Sequence, residues 1–255
     1  MDIWAPAKTA LRFFNSAQGW VEVQVRRKAG TAPSASMRAL VARLYISGEG
    51  LELGGLNAPL ELPDGVRVRY VDRLPTEELR AHYPDLDMVE VDIIDDGERL
   101  ESIAESSEDF IVANHFLEHC EDPIRTLGTL TSKLKPGGIL YMAVPDADFT
   151  FDRDRPSTTF EHLVKDHTEG SQRSREEHLR EWVRLVEGKG DEEIEARVRA
   201  LDDMGYSVHY HVWRMHELLD FLTRTIDELD LQLTMEMAMR HAGEVICVLR
   251  RSGSA

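Results

Sequence analysis

The residues best suited to bind a small molecule lie directly after apolar runs of the sequence. Each run has the composition of a β-strand, and an acid, a glycine or an amide follows it: Glu52, Gly54, Gly55, Asp72, Asp92 and Asn114, with His115 next to it. Asp72 lies twenty residues beyond Glu52, and this spacing and residue type suit the hydroxyl pair of a ribose. Glycines let a ligand approach the backbone because they have no side chain. The pattern therefore indicates a nucleoside pocket.

The elements that must position these residues are five predicted strands. They cover residues 50–53, 66–71, 88–91, 110–113 and 138–144, with a helix over residues 75–83 between the second and the third. Nearly continuous apolar strands separated by helices are typical of a parallel sheet that is covered on both faces. In such a sheet ligands bind outside the carboxyl ends of the strands, which is where the polar residues are expected.

The sequence predicts a four-part organisation of the chain. Residues 1–48 are expected to form a helical cap, with helices over 7–14 and 37–44, and residues 49–148 to form most of the sheet. Residues 149–213 are charged and too long for a plain connection, so we expect a helical insertion that covers the pocket as a lid. Residues 214–255 should supply a last helix and two strands, 231–239 and 244–249, joined as an antiparallel hairpin.

Histidines of the insertion could take part in acid–base chemistry or bind a metal ion. His209, His211 and Trp213 alternate as in a strand and would then share one face. A metal site formed by His209 and His211 with Asp166 or His167 is conceivable. Two alternating histidines are a weak signature without a recognised third ligand. We therefore expect no metal.

The composition limits the partners of the protein. The 255 residues carry 30 Lys and Arg against 47 Asp and Glu, a formal net charge of −17. This charge disfavours binding to nucleic acids and to anionic membranes, so the expected partner is a small molecule, while the oligomeric state is left open. Cys120 and Cys247 fit no metal or redox spacing. No apolar run is long enough to span a membrane, and the amino terminus lacks a signal-peptide pattern, so we expect a cytoplasmic protein.

Two segments resemble those of a known enzyme family. Residues 114–123 read NHFLEHCEDP and residues 134–138 read LKPGG. They are similar to the HxLEHxxDP and LKPGG segments of class I S-adenosylmethionine-dependent methyltransferases, in the branch that acts on small molecules. Residues 149–156 and 161–163 resemble a subfamily common in bacterial glycan and natural-product gene clusters. The resemblance covers roughly residues 48–148 and the final hairpin, and it implies an α/β, Rossmann-like fold with a mostly parallel sheet and a C-terminal antiparallel hairpin.

One departure from the family concerns the loop after the first predicted strand. The usual loop reads ExGxGxG, whereas Leu56 and Ala58 stand here in place of the second and third glycines. Only about a dozen residues separate the first two strands, which is near the minimum for a parallel crossover. We therefore expect the first crossover helix to be about one turn, around residues 59–62.

The resemblance also implies roles for individual residues. The cofactor would be S-adenosylmethionine, with S-adenosylhomocysteine as the product, and Asp72 would hold the ribose hydroxyls. Asp92 would hold the adenine amine, Ile93 would line the adenine, and the backbone of Asn114 would lie near the methionine end. The remaining cofactor contacts are expected at Glu52, Gly54, Gly55 and His115.

The expected methyl acceptor is a small polar metabolite, such as a sugar nucleotide or a natural-product scaffold. Arg155 and Trp213 are the candidate substrate contacts, because a guanidinium could hold a carboxylate or a phosphate. A base is needed where the acceptor is a hydroxyl or an ammonium. The candidates, expected to bracket the methyl, are His115, His162, His167 and His211. Alternatively, these histidines only shape the pocket and alignment carries the catalysis.

Two other functions share parts of this pattern. A nicotinamide-dependent oxidoreductase would also use an acid such as Asp72, although the glycine loop here lacks the GxGxxG spacing. A protein that binds S-adenosylmethionine without catalysis, as a partner subunit or a regulator, is the third possibility.

Overall fold

The computed structural model describes residues 8–13, 21–26 and 34–253. Near the amino terminus, β1 (Lys8–Phe13) and β2 (Val21–Arg26) pair as an antiparallel two-stranded sheet. The helix predicted over residues 7–14 is therefore wrong for residues 8–13, the part that the structure describes. The sequence of β2 alternates valine with polar residues, and β-branched residues at a period of two favour a strand. The second predicted helix of this region is confirmed as α1 (Ser34–Tyr45).

The main sheet has seven strands in the order β5–β4–β3–β6–β7–β9–β8. The strands β3 to β7 all run parallel to one another. The strand β9 runs antiparallel to both β7 and β8. The mostly parallel sheet with a C-terminal antiparallel hairpin is thus confirmed. The bounds are β3 (Glu49–Leu53), β4 (Arg67–Asp72), β5 (Ile93–Ile94), β6 (Glu108–Asn114), β7 (Leu134–Pro145), β8 (Leu233–His241) and β9 (Glu244–Arg251).

The predicted third strand is displaced along the chain. Residues 88–91 are not paired in the sheet, and β5 consists of Ile93 and Ile94 alone. The backbone N–H groups of this segment are bonded outside the sheet. The Val89 N–H donates to Leu56 O at 2.9 Å, and the Val91 N–H donates to the Thr76 side chain, at Oγ1, at 2.8 Å. The expected crossover helix around residues 59–62 is also wrong, because these residues have no helical structure.

Six more helices follow in the described part of the chain. They are α2 (Thr76–His82), α3 (Pro123–Lys133), α4 (Phe160–Glu169), α5 (Gln172–Leu185), α6 (Asp191–Asp203) and α7 (Met215–Glu228). The helices α4 to α6 belong to residues 149–213, so the helical content predicted for this insertion is confirmed.

Both faces of the sheet are buried, in agreement with its apolar strands. On one face, Leu51 and Ile111 belong to a core that also includes residues of α3, α4 and α7. On the other face, Phe110 and Tyr141 pack with residues of α1. The insertion has a separate core formed by residues of α5, α6 and the segment that follows them, including Trp182.

The insertion lies against residues that follow the carboxyl ends of two strands. Arg73, next to the end of β4, donates a hydrogen bond to Gly205 O at 3.1 Å. Beyond the end of β6, Glu118 O accepts the N–H of Tyr210 at 2.8 Å, and Glu121 forms an ion pair with Arg175. The insertion therefore reaches from β6 to β4 along the edge where the candidate site residues lie.

The close approach of β3 to β6 gives a test of the fold. A Cβ atom added at Gly50 would lie 2.1 Å from the Phe110 backbone oxygen, whereas a Cβ at Gly128 of α3 would meet nothing within 4 Å. We expect Gly50→Ala to lower the free energy of unfolding by about 1–3 kcal/mol or more. The control Gly128→Ala should raise it by roughly 0.5–1 kcal/mol, since alanine favours a helix. Urea denaturation measures both, and an unchanged midpoint for Gly50→Ala would contradict the packing of these strands.

Candidate active site

The carboxyl ends of β3, β4 and β6 meet at one edge of the sheet, because these strands are parallel neighbours. Asp72 is the last residue of β4 and is half-buried. Its Oδ1 accepts the Leu74 N–H at 3.2 Å. Burial raises the pKa of Asp72 above its usual value, against the effect of backbone hydrogen bonds. The expected position of Asp72, at a strand end beside the first loop, agrees with the structure.

The loop after β3 is held by hydrogen bonds and by one glycine conformation. Gly54 has a φ of +59°, a region that favours glycine, and its N–H donates to Val71 O at 2.9 Å. The buried carboxylate of Glu52 accepts the Leu60 N–H at 2.9 and 3.1 Å. Burial raises the pKa of Glu52 to about 7. Glu52 therefore closes this loop from inside, and Gly54 leaves its backbone open, whereas Gly55 packs against Tyr70.

Asp92 and Ile93 do not follow a strand, contrary to expectation. The carboxylate of Asp92 accepts the Tyr70 N–H at 2.8 Å at the edge of β4, and Ile93 pairs with Val71 within the sheet. Both residues thus lie before the carboxyl end of β5. The error follows from the displaced third strand, whose true end is Ile94.

The residues that actually follow β5 are Asp95 and Asp96. The Asp95 N–H donates to Asp72 O at 3.0 Å, so these acids stand beside Asp72. The Asp95 carboxylate is occupied, because it accepts bonds from the Ser102 N–H at 2.8 Å and from Ser102 Oγ at 2.5 Å. Asp96 is exposed, and its Oδ1 accepts the Glu98 N–H at 3.0 Å. Asp96 was not predicted from the sequence because the third strand was placed too early in the chain, and the same displacement led to the choice of Asp92.

Asn114 ends β6 and is half-buried, and the buried polar atoms of its side-chain amide have no partner. Neither its Oδ1 nor its Nδ2 makes a hydrogen bond. The next residue, His115, has a φ of +50° and donates its N–H to Ala143 O at 2.7 Å. The chain therefore turns sharply at the end of β6 and presents both side chains at the edge of the sheet.

His115 lies between two buried carboxylates. Its Nε2 is 3.0 Å from Glu244 Oε2 and its Nδ1 is 3.4 Å from Glu118 Oε1. Glu244 also pairs with Arg38 of α1, whose Nε donates to Oε1 at 2.8 Å. Burial lowers the pKa of His115, but its ion pairs with Glu118 and Glu244 outweigh burial and raise the pKa to about 9. His115 is therefore protonated at neutral pH, which conflicts with its expected role as a base.

The other expected catalytic histidines do not meet at the same point. His162 and His211 lie together with His178, a residue not singled out from the sequence. His167 is separate: its Nδ1 is 3.0 Å from Asp122 Oδ2, so it links α4 to the start of α3. The expectation that His115, His162, His167 and His211 bracket one methyl group is not supported by these positions.

The expected alternation of His209, His211 and Trp213 on one face is wrong, because residues 207–214 do not form a strand. The Nδ1 of His209 lies 2.7 Å from Asp152 Oδ2, in a different cluster from His211. Trp213 is buried, stacked between His211 and Phe221. It belongs to the core and is not positioned as a substrate contact.

Arg155 is likewise buried within the protein. Its Nη1 and Nε donate to Asp152 Oδ1 and Glu181 Oε1, both at 2.8 Å. Two carboxylates thus balance its charge, whereas a free guanidinium was expected to hold an anionic substrate. The Nη2 of Arg155 has no hydrogen-bond partner.

A buried acidic group close to His115 was not identified from the sequence. Glu118 is buried, and neither of its carboxylate oxygens makes a hydrogen bond. His119 and His209 lie next to it, with His209 Nε2 4.0 Å from Glu118 Oε1. Burial raises the pKa of Glu118, but the ion pair with His115 outweighs burial and lowers the pKa below its usual value. Glu118 is part of the LEH segment (Leu117–His119), one of the segments on which the family resemblance depends, and its place in this motif was the signal available in the sequence.

The charged network around His115 predicts a pH dependence of stability. Because the pKa of His115 is raised from 6.5 to about 9, its stabilising contribution is complete below pH 6.5 and is lost as the pH rises toward 9. The pKa of Glu244 is lowered from 4.5 to about 2, so its contribution is complete above pH 4.5 and is lost as the pH falls toward 2.

We therefore expect the difference in unfolding free energy between wild type and His115→Ala to be largest between these limits, at about pH 6, and to shrink by about pH 9. Urea denaturation across this range measures the difference. The control His216→Ala removes a side chain that is 79% exposed and should show little pH-dependent change. A difference for His115→Ala that grows above pH 7 would contradict the assigned protonation.

Among the residues that the structure describes, no helix has the length and apolar character required to cross a membrane.

Comparison with known proteins gives the family directly. A family model described as a methyltransferase domain matches residues 26–187, more than half of the chain. A comparison with curated proteins found no match. The family match favours methyl transfer over the nicotinamide-dependent oxidoreductase.

Solved structures are similar at low sequence identity. A SAM-dependent methyltransferase from Methanosarcina mazei has 16% identity and a TM-score of 0.46, covering 88% of this chain and 99% of that one. The N-methyltransferase NodS from Bradyrhizobium japonicum, in complex with S-adenosylhomocysteine, has 14% identity and a TM-score of 0.45, covering 86% and 85%. A putative zinc-dependent alcohol dehydrogenase from Rhodobacter sphaeroides has 12% identity and a TM-score of 0.52, covering 88% and 91%, and this likeness concerns the fold alone.

The family match agrees with the mostly parallel sheet and its C-terminal antiparallel hairpin. The chain belongs to the methyltransferase domain family and is a class I S-adenosylmethionine-dependent methyltransferase.

Proposed function

We propose that this methyltransferase methylates a hydroxyl or an amino group of a small polar metabolite, such as a sugar nucleotide or a natural-product scaffold. We also propose that it belongs to the branch with HxLEHxxDP and LKPGG segments, in the subfamily common in bacterial glycan and natural-product gene clusters. Support comes from the polar groups at the carboxyl edge of the sheet, which divide into a cofactor side and an acceptor side.

The observation that carries the cofactor side is the unpartnered amide of Asn114. Buried side-chain amides nearly always make hydrogen bonds, yet both polar atoms of Asn114 lack a partner. The amide can donate and accept at once. At the methionine end of S-adenosylmethionine, the ammonium group offers a matching donor and the carboxylate a matching acceptor. The residues present therefore fit this cofactor.

The nucleoside half fits the strand ends on the other side of β3. Asp72 is the proposed anchor for the ribose hydroxyls, because a carboxylate can accept from both and charge-assisted bonds are strong. Asp96 is the proposed contact for the adenine in place of Asp92, because it follows β5 and is exposed. The open backbone at Gly54 follows β3, which lies between β4 and β6 in the sheet, so Gly54 stands between these residues and Asn114.

The acceptor side is proposed around Glu118. Its carboxylate is buried and unbonded, so a hydroxyl or ammonium group that donates to it would satisfy the site. His115 stands next to it, and the Tyr210 N–H of the insertion donates to the Glu118 backbone oxygen at 2.8 Å. The insertion would thus form the opposite wall, as the expected lid.

S-adenosylmethionine, when bound, supplies a methyl group already activated on a sulfonium. The task of the chain is then mainly alignment of the acceptor. Glu118 would hold the proton-bearing group of the acceptor by a hydrogen bond. His115, held as an imidazolium by Glu244, keeps Glu118 ionised. Such charges are fixed before the reaction and need no rearrangement.

The cofactor assignment predicts a loss of affinity in Asp72→Ala. Each lost hydrogen bond to a charged group should cost about 1.5–3 kcal/mol of binding free energy. Isothermal titration with S-adenosylmethionine and S-adenosylhomocysteine measures the loss. Asp64→Ala is the matched control, because Asp64 is exposed in the turn before β4, at the amino end of that strand. Equal affinity of Asp72→Ala and wild type would contradict the ribose assignment.

The acceptor assignment predicts that Glu118→Gln binds the cofactor but transfers the methyl group poorly. We expect an unchanged Kd for S-adenosylmethionine and a decrease of about a hundredfold in kcat/KM, the size typical for loss of one preorganised polar contact. Transfer of a labelled methyl group to a panel of amines, sugar nucleotides and hydroxylated scaffolds identifies the acceptor first. Wild-type turnover in Glu118→Gln, or methylation of carbon only, would contradict the proposal.

A further inference from the structure

Three histidines of the insertion meet at one point, each from a different element. His162 lies on α4, His178 lies on α5, and His211 lies in the segment between α6 and α7. The rings offer one nitrogen each, and these three nitrogens lie within 4.8 Å of one another. The closest pair is His162 Nε2 and His178 Nε2, which are 3.1 Å apart.

The innermost ring of this cluster lacks a hydrogen-bond partner. His211 is buried and neither of its nitrogens makes a hydrogen bond, although the Glu121 backbone lies near enough to affect its pKa. Buried polar side chains nearly always have a partner. A proton shared between His162 and His178 would satisfy those two rings and still leave His211 unbonded. An ion at the centre would accept a lone pair from all three rings.

A carboxylate stands beside the three rings. Asp166 lies one turn after His162 on α4, and its Oδ2 is 3.0 Å from His162 Nε2. The Oδ2 atom makes no hydrogen bond, whereas Oδ1 accepts one from Ser174 Oγ at 2.6 Å, which fixes the carboxylate. Ligand atoms bound ~2.0–2.1 Å from a tetrahedral ion are about 3.3 Å from one another. The 3.1 Å between His162 Nε2 and His178 Nε2 is close to that value, and the His211 nitrogen lies within 4.8 Å of both.

We propose that His162, His178 and His211 bind one divalent transition-metal ion, for which zinc is the best match, with the carboxylate of Asp166 beside His162. Imidazole and carboxylate groups are the usual zinc ligands besides thiolates, in four-coordinate tetrahedral sites. The ion joins α4, α5 and the segment before α7. The N–H of Tyr210, next to His211, donates to the Glu118 backbone oxygen at 2.8 Å, so the ion also fixes the insertion over the proposed acceptor site.

The electrostatic surroundings are compatible with such an ion. Burial lowers the pKa of His178 to about 4 and lowers that of His211 well below its usual value, so both rings keep their lone pairs at neutral pH. The ion pair with Asp166 raises the pKa of His162, so the ion displaces one proton there. The charge of Arg155, which opposes an ion, is balanced by two carboxylates.

A second group, formed by Glu118, His119 and His209, also brings possible ligands together. Its spacing is wider, with 4.0 Å between His209 Nε2 and Glu118 Oε1. Glu118 also faces His115, which is held protonated and competes with a metal cation. The ion is therefore assigned to the first group and not to this one.

Zinc titration of the metal-free full-length protein tests the assignment. We expect one zinc ion per chain by mass spectrometry, and Co²⁺ in its place should give the visible absorption of a tetrahedral site. His178→Ala and His211→Ala should bind zinc at least about a hundredfold more weakly, since each removes a direct ligand. The control His82→Ala removes an exposed histidine on α2 and should bind zinc as wild type does.

Two further variants separate the possible outcomes. His209→Ala should keep the zinc ion, and loss of zinc from this variant with retention in His178→Ala would overturn the assignment. Because a histidine variant can fail to fold, Asp166→Asn serves as a milder change, with folding checked by S-adenosylmethionine binding and circular dichroism. Zinc affinity equal to wild type in folded Asp166→Asn and His178→Ala, or no zinc binding by the wild type, would overturn the proposal.

Discussion

The arrangement of the site depends on the position of β3 in the sheet. β3 pairs with β4 on one side and with β6 on the other, so the chain changes direction across the sheet at this strand. In such a sheet the loops that leave these two strands diverge, so we expect a crevice for a ligand between them at the carboxyl edge. Asp72 and Asn114 stand on opposite sides of this crevice. Gly50 is part of the constraint, because only a residue without a side chain fits against Phe110.

Charge pairing connects the rest of the molecule to this edge. The protein has an excess of carboxylates, and two of those near the site, Glu244 and Glu118, are paired with cations. Arg38 of α1 binds Glu244 of β9, and Glu244 holds His115 at the end of β6. The same histidine faces Glu118, where the insertion begins to cover the edge. The amino-terminal helix, the C-terminal hairpin and the proposed acceptor site thus share one network.

The strands at the centre of the sheet could be predicted because both of their faces are buried and their sequences are almost wholly apolar. β5 was misplaced because only two residues pair, too few to produce a pattern. The consequence is visible in the site: Asp72 was predicted correctly at a strand end, whereas Asp92 lies three residues before the acid that follows β5. The two-stranded sheet near the amino terminus was missed although β2 alternates at a period of two.

The side-chain clusters of the insertion could not be predicted from spacing alone. His178 meets His162 and His211 only because α4, α5 and the following segment pack together, and no local pattern encodes that packing. Arg155 and Trp213 had suitable chemistry for a substrate contact, but both are buried among partners. Glu118 lay within a motif that was recognised for its resemblance, and its buried, unbonded carboxylate became apparent only in three dimensions.

A crystal structure of the complex with S-adenosylhomocysteine tests the central claim most directly. The claim is that the crevice between the loops after β3 and β6 holds the cofactor. The account predicts the ribose hydroxyls within about 3 Å of the Asp72 carboxylate and the homocysteine end at the Asn114 amide. A cofactor bound elsewhere, or one that leaves the Asn114 amide without a hydrogen bond, would contradict it.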